Sequence, residues 1–583
     1  MRRLALSFAL IATAACQPPP VAGPAGEGGA RVFLPFDWEF RGLEPVGTGT
    51  QGMVATADVR ATRVGLDILQ AGGNGVDAAV AVGFALAVVL PRAGNIGGGG
   101  FAVLRKSDGT MAALDFRETA PLTATPDVYL DAQGKPTDAK RVGHLAVAVP
   151  GAVKGLWELH QRYGSLPWAE LLAPAIDLAE NGFTVNEELS RDLAEKQETL
   201  RRFETTRQIF YPGGEAPRIG SMLRQPMLAE TLRAIAAEGS NSFYQGRIAD
   251  LIVEEMRKGD GLITHEDLAR YQAQWREPLV FQYRGHTVIS MPPPSSGGVT
   301  LALILNILEG YDLRPLGFNS PDVLHLETEA FRRAFADRNY YLGDPAFVNA
   351  PIDRLTSDEY AGELRASISR NRASDSESFS RVPVVNEGRN TTHFSIVDRS
   401  GDAIALTYTL NSSFGSGVVV ERGGFFLNNE IDDFTVNPGY ANQFGLIEGD
   451  ANLIEPGKRP LSSMTPTIVL DEQGQLRMVL GSPGGPKIIT AVAQVISNVV
   501  NFGMDVRTAV EVPRIHHQLF PDELQVEQHG IDNQTLATLV SMGHTVVPSA
   551  SYFGNVQLII RRPDGTLEGI ADPRHEAGRA IGY

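Results

Sequence analysis

The chain has little of what several large protein classes require. It holds one cysteine in 583 residues, so no intramolecular disulfide forms and no cysteine cluster binds a metal. Its 51 Lys and Arg stand against 68 Asp and Glu, a formal charge of −17. A chain of that sign is repelled by phosphate backbones and by anionic lipid, which excludes nucleic acid as a partner and a membrane bound by charge. The apolar run after Asp77 ends at Leu90, too short for a bilayer and therefore expected inside the protein. There is no Gly-x-Ser-x-Gly elbow and no His-x-x-x-His pair, and Gly481 to Lys487 fails the phosphate-loop spacing. His516 and His517 are adjacent and face different sides, so no metal or other cofactor is expected.

What remains is a 43% hydrophobic chain long enough to bury a large core. At its start, Arg2-Arg3 precede the apolar stretch Leu4 to Ala12 and then Thr13-Ala14-Ala15-Cys16. This pattern is expected to be an export signal over residues 1–15, with Cys16 placed for lipidation; ordinary cleavage near Ala14 or Ala15 is the alternative. The expected location is the periplasmic side of a bacterial membrane, held only by a lipid anchor. Gln17 to Arg31 is rich in Pro and Gly, so residues 16–52 are expected to be a tether, with the fold starting near Met53.

Periodicity predicts helices over Asp58 to Ala71 and Asp77 to Leu90, then strands over Phe101 to Arg105 and Met111 to Phe116, with Arg117 directly after. Further helices are expected over Gly151 to Tyr163, Trp168 to Asn181, Asn186 to Phe203 and Val299 to Leu308. Ser367 to Arg389 is polar and serine-rich and reads as a loop open to cleavage. Beyond it the texture turns to strands. Thr391 to Asp398 and Ala403 to Asn411 form a hairpin around Arg399-Ser400-Gly401-Asp402, which puts Thr409 within one position of Thr391. Strands at Thr465 to Leu470 and Leu476 to Gly481 lead through a glycine turn to a helix over Ile488 to Asn501.

Asn390-Thr391 marks the change of texture, and a cut there would give Thr391 a free α-amine. That amine, with an ordinary pKa of roughly 7.7–8.0, is a base able to take the proton of its own hydroxyl. Gly484-Gly485, between a strand and a helix, offers open backbone N–H groups to a developing oxyanion. Asn411, Glu430, Asp433, Ser462 and Ser463 lie in the same terminal part and suit a zwitterion: carboxylates for an ammonium, hydroxyls and an arginine for a carboxylate. Asp432 reads instead as part of an acidic surface loop.

Several longer motifs, in order, resemble the γ-glutamyltranspeptidase family of the N-terminal nucleophile hydrolase class. They are Gly94 to Phe101, Asp115-Phe116-Arg117-Glu118, Thr391-Thr392-His393, Thr407 to Asn411, Leu427 to Glu430, Asp432-Asp433-Phe434, Arg459 to Met464 and Gly481 to Gly485. The resemblance implies an α+β fold, a four-layer αββα sandwich shared by two subunits cut from one precursor, residues 53–390 and 391–583. It implies cleavage between Asn390 and Thr391, Thr391 as nucleophile, Thr409 as its support, and Gly484 and Gly485 as the oxyanion site. Arg117, Ser462 and Ser463 would receive a glutamyl α-carboxylate, and Asn411, Glu430 and Asp433 its α-amino group. Glutathione and related γ-glutamyl compounds are the implied donors, with water, amino acids or dipeptides as acceptors. Residues 438–453 resemble the family's lid, yet Phe444 stands where a tyrosine is common and lacks its hydroxyl. Pro486 stands where a serine is commoner. The competing readings are a glutaryl-amide acylase of the same fold, of the kind that acts on β-lactam side chains, and a non-enzymatic lipoprotein that binds γ-glutamyl peptides.

Overall fold

The expected helix at Asp58 runs over Val59–Gln70, with Asp58 as N-cap accepting from the Arg60 amide. The next runs over Gly75–Val89 behind a capping box of Asn74 and Asp77, and every one of its residues is buried. Its apolar surface all round is thus explained by burial in protein. Among the described residues no helix is long and apolar enough to cross a membrane. This computed structural model describes residues 38–40, 46–379, 391–549 and 551–583; the export signal, Cys16, residues 17–31 and Asn390 lie outside them.

Two seven-stranded sheets form the middle of the molecule. One runs in the order 579–582, 53–56, 392–397, 403–409, 99–105, 111–116, 274–276. The other runs 47–49, 567–571, 557–561, 476–481, 467–470, 286–290, 279–283. Thr392–Val397 and Ala403–Thr409 lie against Leu476–Gly481 of the second sheet, so the sheets stack face to face. Val59–Gln70 and Gly75–Val89 cover the first sheet, and Gly297–Glu309 and Lys487–Val500 cover the second. The result is the four-layer αββα sandwich. Strands at its centre are covered on both sides, as Thr392–Val397 and Ala403–Thr409 are, with every residue buried.

Three expectations need correction. The fold starts before Met53: Trp38 and Phe40 are buried and pack edge-on with each other and with Tyr552, and Gly47–Gly49 pairs with Leu567–Ala571. Residues 16–52 are therefore not all tether. The hairpin register is one residue tighter than expected, with Val397 opposite Ala403 and Thr392 opposite Tyr408. Asp402 closes the loop rather than lying in it, because the Asp398 amide donates to the Asp402 carbonyl and the Asp398 carboxylate accepts from the Ser400 and Asp402 amides. The segment from Ser367 as far as Phe379 is not a free loop. Buried Glu329 accepts from the Ser374 amide and hydroxyl, Arg332 holds the Ser376 hydroxyl, and Arg333 sits over the Phe379 ring.

Candidate active site

The register correction brings the site together. Continuing the ladder puts Thr391 opposite Thr409, and their hydroxyl oxygens are 3.2 Å apart. Thr409 Oγ1 also accepts from the Asn411 amide at 2.8 Å, which ties the hydroxyl to the backbone where the strand ends. Asn411 takes a positive φ of 76° there and donates through Nδ2 to the Asn429 carbonyl. The glycine run explains how Thr409 is placed. Gly99 pairs with Thr409, and a Cβ on the preceding Gly98 would stand 1.9 Å from the Thr409 carbonyl, so only glycine lets the two segments approach so closely. Asn95 Nδ2 then holds the Thr409 carbonyl at 2.9 Å.

Thr391 and Thr409 open into a cleft lined also by Arg117, Arg338, Asn411, Asp433, Phe444, Ser462, Ser463 and Gly485. Gly484 and Gly485 have φ of 134° and 57°, and among the described residues neither amide donates a backbone hydrogen bond. Their carbonyls accept from Lys487 and Ile488, which turns the chain into the helix Lys487–Val500. That helix has no side-chain cap, and Pro486 occupies its N-cap position. Open amides at a helix N-terminus are donors for an anion.

Arg117 is almost fully buried and faces three carboxylates: Glu430 at 2.6 Å, Asp433 at 2.5 Å and Glu118 at 3.4 Å. Its Nε donates to the Pro460 carbonyl. Burial works against the guanidinium's charge, but the carboxylates outweigh it and hold its pKa above the ordinary value. The acids are held high by the same burial, which the single guanidinium only partly offsets. Glu430 lies well above the usual range, and Asp433 is pushed up to about 6. Glu430 Oε1 and Asp433 Oδ1 are buried and take no donor from another residue among those described. Glu430 and Asp433 also lie within hydrogen-bonding reach of each other, so a proton held high on one can bridge to the other, and a cationic N–H donor arriving there would displace that proton and favour both anions. In the same cleft lining, Ser462 Oγ accepts from the Met464 amide and Ser463 Oγ from Arg338, so each hydroxyl proton is available to an acceptor in the cleft.

Every candidate that falls among the described residues thus belongs to one neighbourhood, and three more residues join it. Glu118 completes the acid cluster. Arg338 reaches Ser463 from the helix Pro321–Tyr341. Phe444 lies over Gly485, and Gln518 Nε2 holds its carbonyl at 3.0 Å. Asp432 corrects the reading of a surface loop: it is buried and bound by Lys140 and Arg141, and its Oδ2 accepts from the Gln443 amide. His393, next to Thr391, is buried with its ring between Thr407 and Ser395. Burial lowers its pKa to about 3, so it packs as a neutral ring. His516 and His517 bond to Thr490, Gln518 and Asp522. His325, Glu329 and His544 also lie close together, but Glu329 is taken up by Arg332, Arg333 and Ser374.

A stacked double sheet with a threonine at the head of a central strand, facing open glycine amides, is the architecture of the N-terminal nucleophile class. A family model described as gamma-glutamyltranspeptidase matches residues 61–582. The chain belongs to that family. It is 47% identical over 536 residues to a glutathione hydrolase proenzyme of Escherichia coli, covering 91% of this chain and 92% of the relative. It is 40% identical to an acylase ACY 1 proenzyme of a Pseudomonas strain, covering 93% and 95%. The crystal structure of a cephalosporin acylase from Bacillus halodurans superposes with a TM-score of 0.83 at 30% identity, over 95% of this chain and 99% of that one.

Proposed function

We propose that the protein cuts itself between Asn390 and Thr391 and then acts as a γ-glutamyltransferase and glutathione hydrolase. In this reading the cut gives two associated subunits, the second beginning at Thr391. The new α-amine takes the Thr391 hydroxyl proton as the oxygen attacks the γ-amide carbonyl of the donor. The Gly484 and Gly485 amides receive the charge that develops on the carbonyl oxygen. The amine of the leaving group departs with a proton, leaving a γ-glutamyl ester on Thr391. Water, or the amine of an amino acid or dipeptide, then displaces the threonine oxygen, giving glutamate or a new γ-glutamyl amide. Thr409 orients the nucleophile. Ser462 and Ser463, with Arg117, receive the α-carboxylate, while Asn411, Glu430 and Asp433 receive the α-ammonium. Holding both α groups fixes the γ-carbonyl against Thr391, so binding energy is converted into orientation.

The observation that carries glutamyl over glutaryl is the pair of buried acids, Glu430 and Asp433, whose Oε1 and Oδ1 take no donor from another residue among those described. A glutaryl group has no ammonium to meet them. Asp433→Asn is expected to lower kcat/KM for γ-glutamyl p-nitroanilide about 10- to 100-fold, the range of a lost charged hydrogen bond, and to spare glutaryl p-nitroanilide. Asp433 has its pKa raised to about 6, so its anion is present above that pH and lost below it. In the unsubstituted protein kcat/KM for the γ-glutamyl substrate should therefore fall on the acid side in two steps, one from protonation of the Thr391 α-amine and a lower one near pH 6 from loss of the Asp433 anion, and in Asp433→Asn the lower limb should be absent. A lower limb that persists unchanged in the variant assigns the titration to another group.

The amino-terminal pattern supports export and anchoring through a lipid on Cys16. Cys16→Ser is expected to move the protein from the membrane fraction to the soluble fraction with its turnover intact. Unchanged membrane recovery contradicts the anchor.

A further inference from the structure

Arg117, which lines the cleft, shares its terminal nitrogens with Glu430, Asp433 and Glu118 and gives its Nε to the Pro460 carbonyl. The field around it is set by three acids and one base. The other cationic side chain lining the cleft is Arg338, which is 1% exposed. Its guanidinium bonds to Ser463 in the cleft lining and to Ser296 and Glu448 behind it. One terminal nitrogen donates to Ser463 Oγ at 3.2 Å, and Nε donates to Ser296 Oγ at 3.0 Å. Ser296 in turn donates through its hydroxyl and its amide to the Ser462 carbonyl, at 2.6 and 2.7 Å. The other terminal nitrogen donates to Glu448 at 2.5 Å. Glu448 accepts from Asn452 Nδ2, which also donates to the Asp433 carbonyl at 2.6 Å. Asn452 Oδ1 accepts from the Leu461 amide, next to Ser462.

We propose that Arg338 is a positioning residue that sets specificity for the substrate's α-carboxylate. The inference rests on the γ-glutamyl reading above and adds a residue to that same subsite. Because Ser463 Oγ already accepts from an N–H of Arg338, the serine's own proton is turned toward the cleft as a donor. The charge on Arg338 polarises that hydroxyl, and the planar fork holds Ser463, Ser462 and, through Glu448 and Asn452, Asp433 at a fixed separation. A ligand bearing a carboxylate on one side and an ammonium on the other is measured against that separation. Lysine carries the charge but has no fork, so it reproduces the field and not the spacing.

The test uses the self-processed protein and three p-nitroanilides: γ-glutamyl, glutaryl, which lacks the ammonium, and 4-aminobutanoyl, which lacks the carboxylate. Arg338→Gln is expected to raise KM for the γ-glutamyl substrate about 10- to 100-fold while kcat stays within about threefold. The glutaryl substrate should lose kcat/KM by a similar factor, and the 4-aminobutanoyl substrate, which the network meets only through Glu448, Asn452 and the Asp433 carbonyl, should lose less than about threefold. Arg338→Lys, which keeps charge and approximate length, should show a smaller KM rise confined to the two carboxylate-bearing substrates. Equal losses on all three substrates in either variant, or an unchanged KM for the γ-glutamyl substrate, overturn the proposal. A parent protein that fails to process, or that does not prefer the γ-glutamyl substrate, defeats the functional reading itself and is scored separately from the variants.

Discussion

Thr391→Ala is expected to purify as one uncut chain and to turn over γ-glutamyl p-nitroanilide about 10⁶-fold more slowly than the parent, the scale of losing a nucleophile. Both losses have one cause. In the proposed mechanism the Thr391 oxygen, 3.2 Å from Thr409 Oγ1, attacks the bond before it in the precursor and the γ-amide afterwards. Removing it leaves the cleft's other groups in place, so the variant should still bind glutamate. Denaturing electrophoresis reads the cut and a stopped-flow or plate assay reads the turnover. A Thr391→Ala protein that is uncut but turns over substrate within about tenfold of the parent places the nucleophile elsewhere.

The second large effect is expected from Gly485→Ala. Gly485 has φ of 57°, and a Cβ there would lie 2.6 Å from Phe444 Cδ1. The substitution therefore strains the left-handed backbone and pushes against the lid's phenylalanine at once. Both displace an amide assigned to the oxyanion, so kcat should fall about 10²- to 10³-fold with little change in KM. Phe444→Ala separates the two contributions. In the double variant the clash with the ring is gone, and a kcat deficit of about tenfold or more should remain. Full recovery of kcat would assign Gly485 to lid packing alone.

The difference between what was readable in the chain and what was not follows from distance along it. Alternation from Thr391 onward marked the hairpin, and turn chemistry brought Thr409 near Thr391 to within one residue. The residual error arose because Asp402 bonds back to Asp398, a choice made by backbone and side-chain hydrogen bonds that no periodicity records. The glycine turn before Lys487–Val500 was legible because an open turn between a strand and a helix has a local signature. Arg338 was not. Its partners Ser296, Glu448 and Ser463 lie 42, 110 and 125 residues away, and its helix carries charges on every face. Nothing in Pro321–Tyr341 separates an arginine bound for the interior from one bound for water. Asp432 failed for the same reason, since the cations that bury it, Lys140 and Arg141, come from the other half of the chain. The Ser-rich segment was misread as loose because Arg332 and Arg333, which hold it, also sit on that helix.

The acid cluster shows how a substrate preference is built from costs. Three carboxylates around one buried guanidinium leave three acceptor atoms, Glu118 Oε1, Glu430 Oε1 and Asp433 Oδ1, without a donor among the described residues, a costly arrangement. In the proposed reading the substrate's ammonium supplies the missing donors and charge. Discrimination against a group without it is correspondingly large, because the acceptors would stay unpaired.

The central claim is that Thr391 becomes the first residue of a chain and carries the acyl group. Intact-mass spectrometry of the purified unsubstituted protein, before and during turnover of a γ-glutamyl substrate quenched in acid, tests it directly. The account predicts two polypeptides, the smaller with the mass of residues 391–583 and, on quenching, a fraction heavier by one γ-glutamyl group. A single uncut chain that hydrolyses the substrate, or a smaller polypeptide beginning at any other residue, would contradict it.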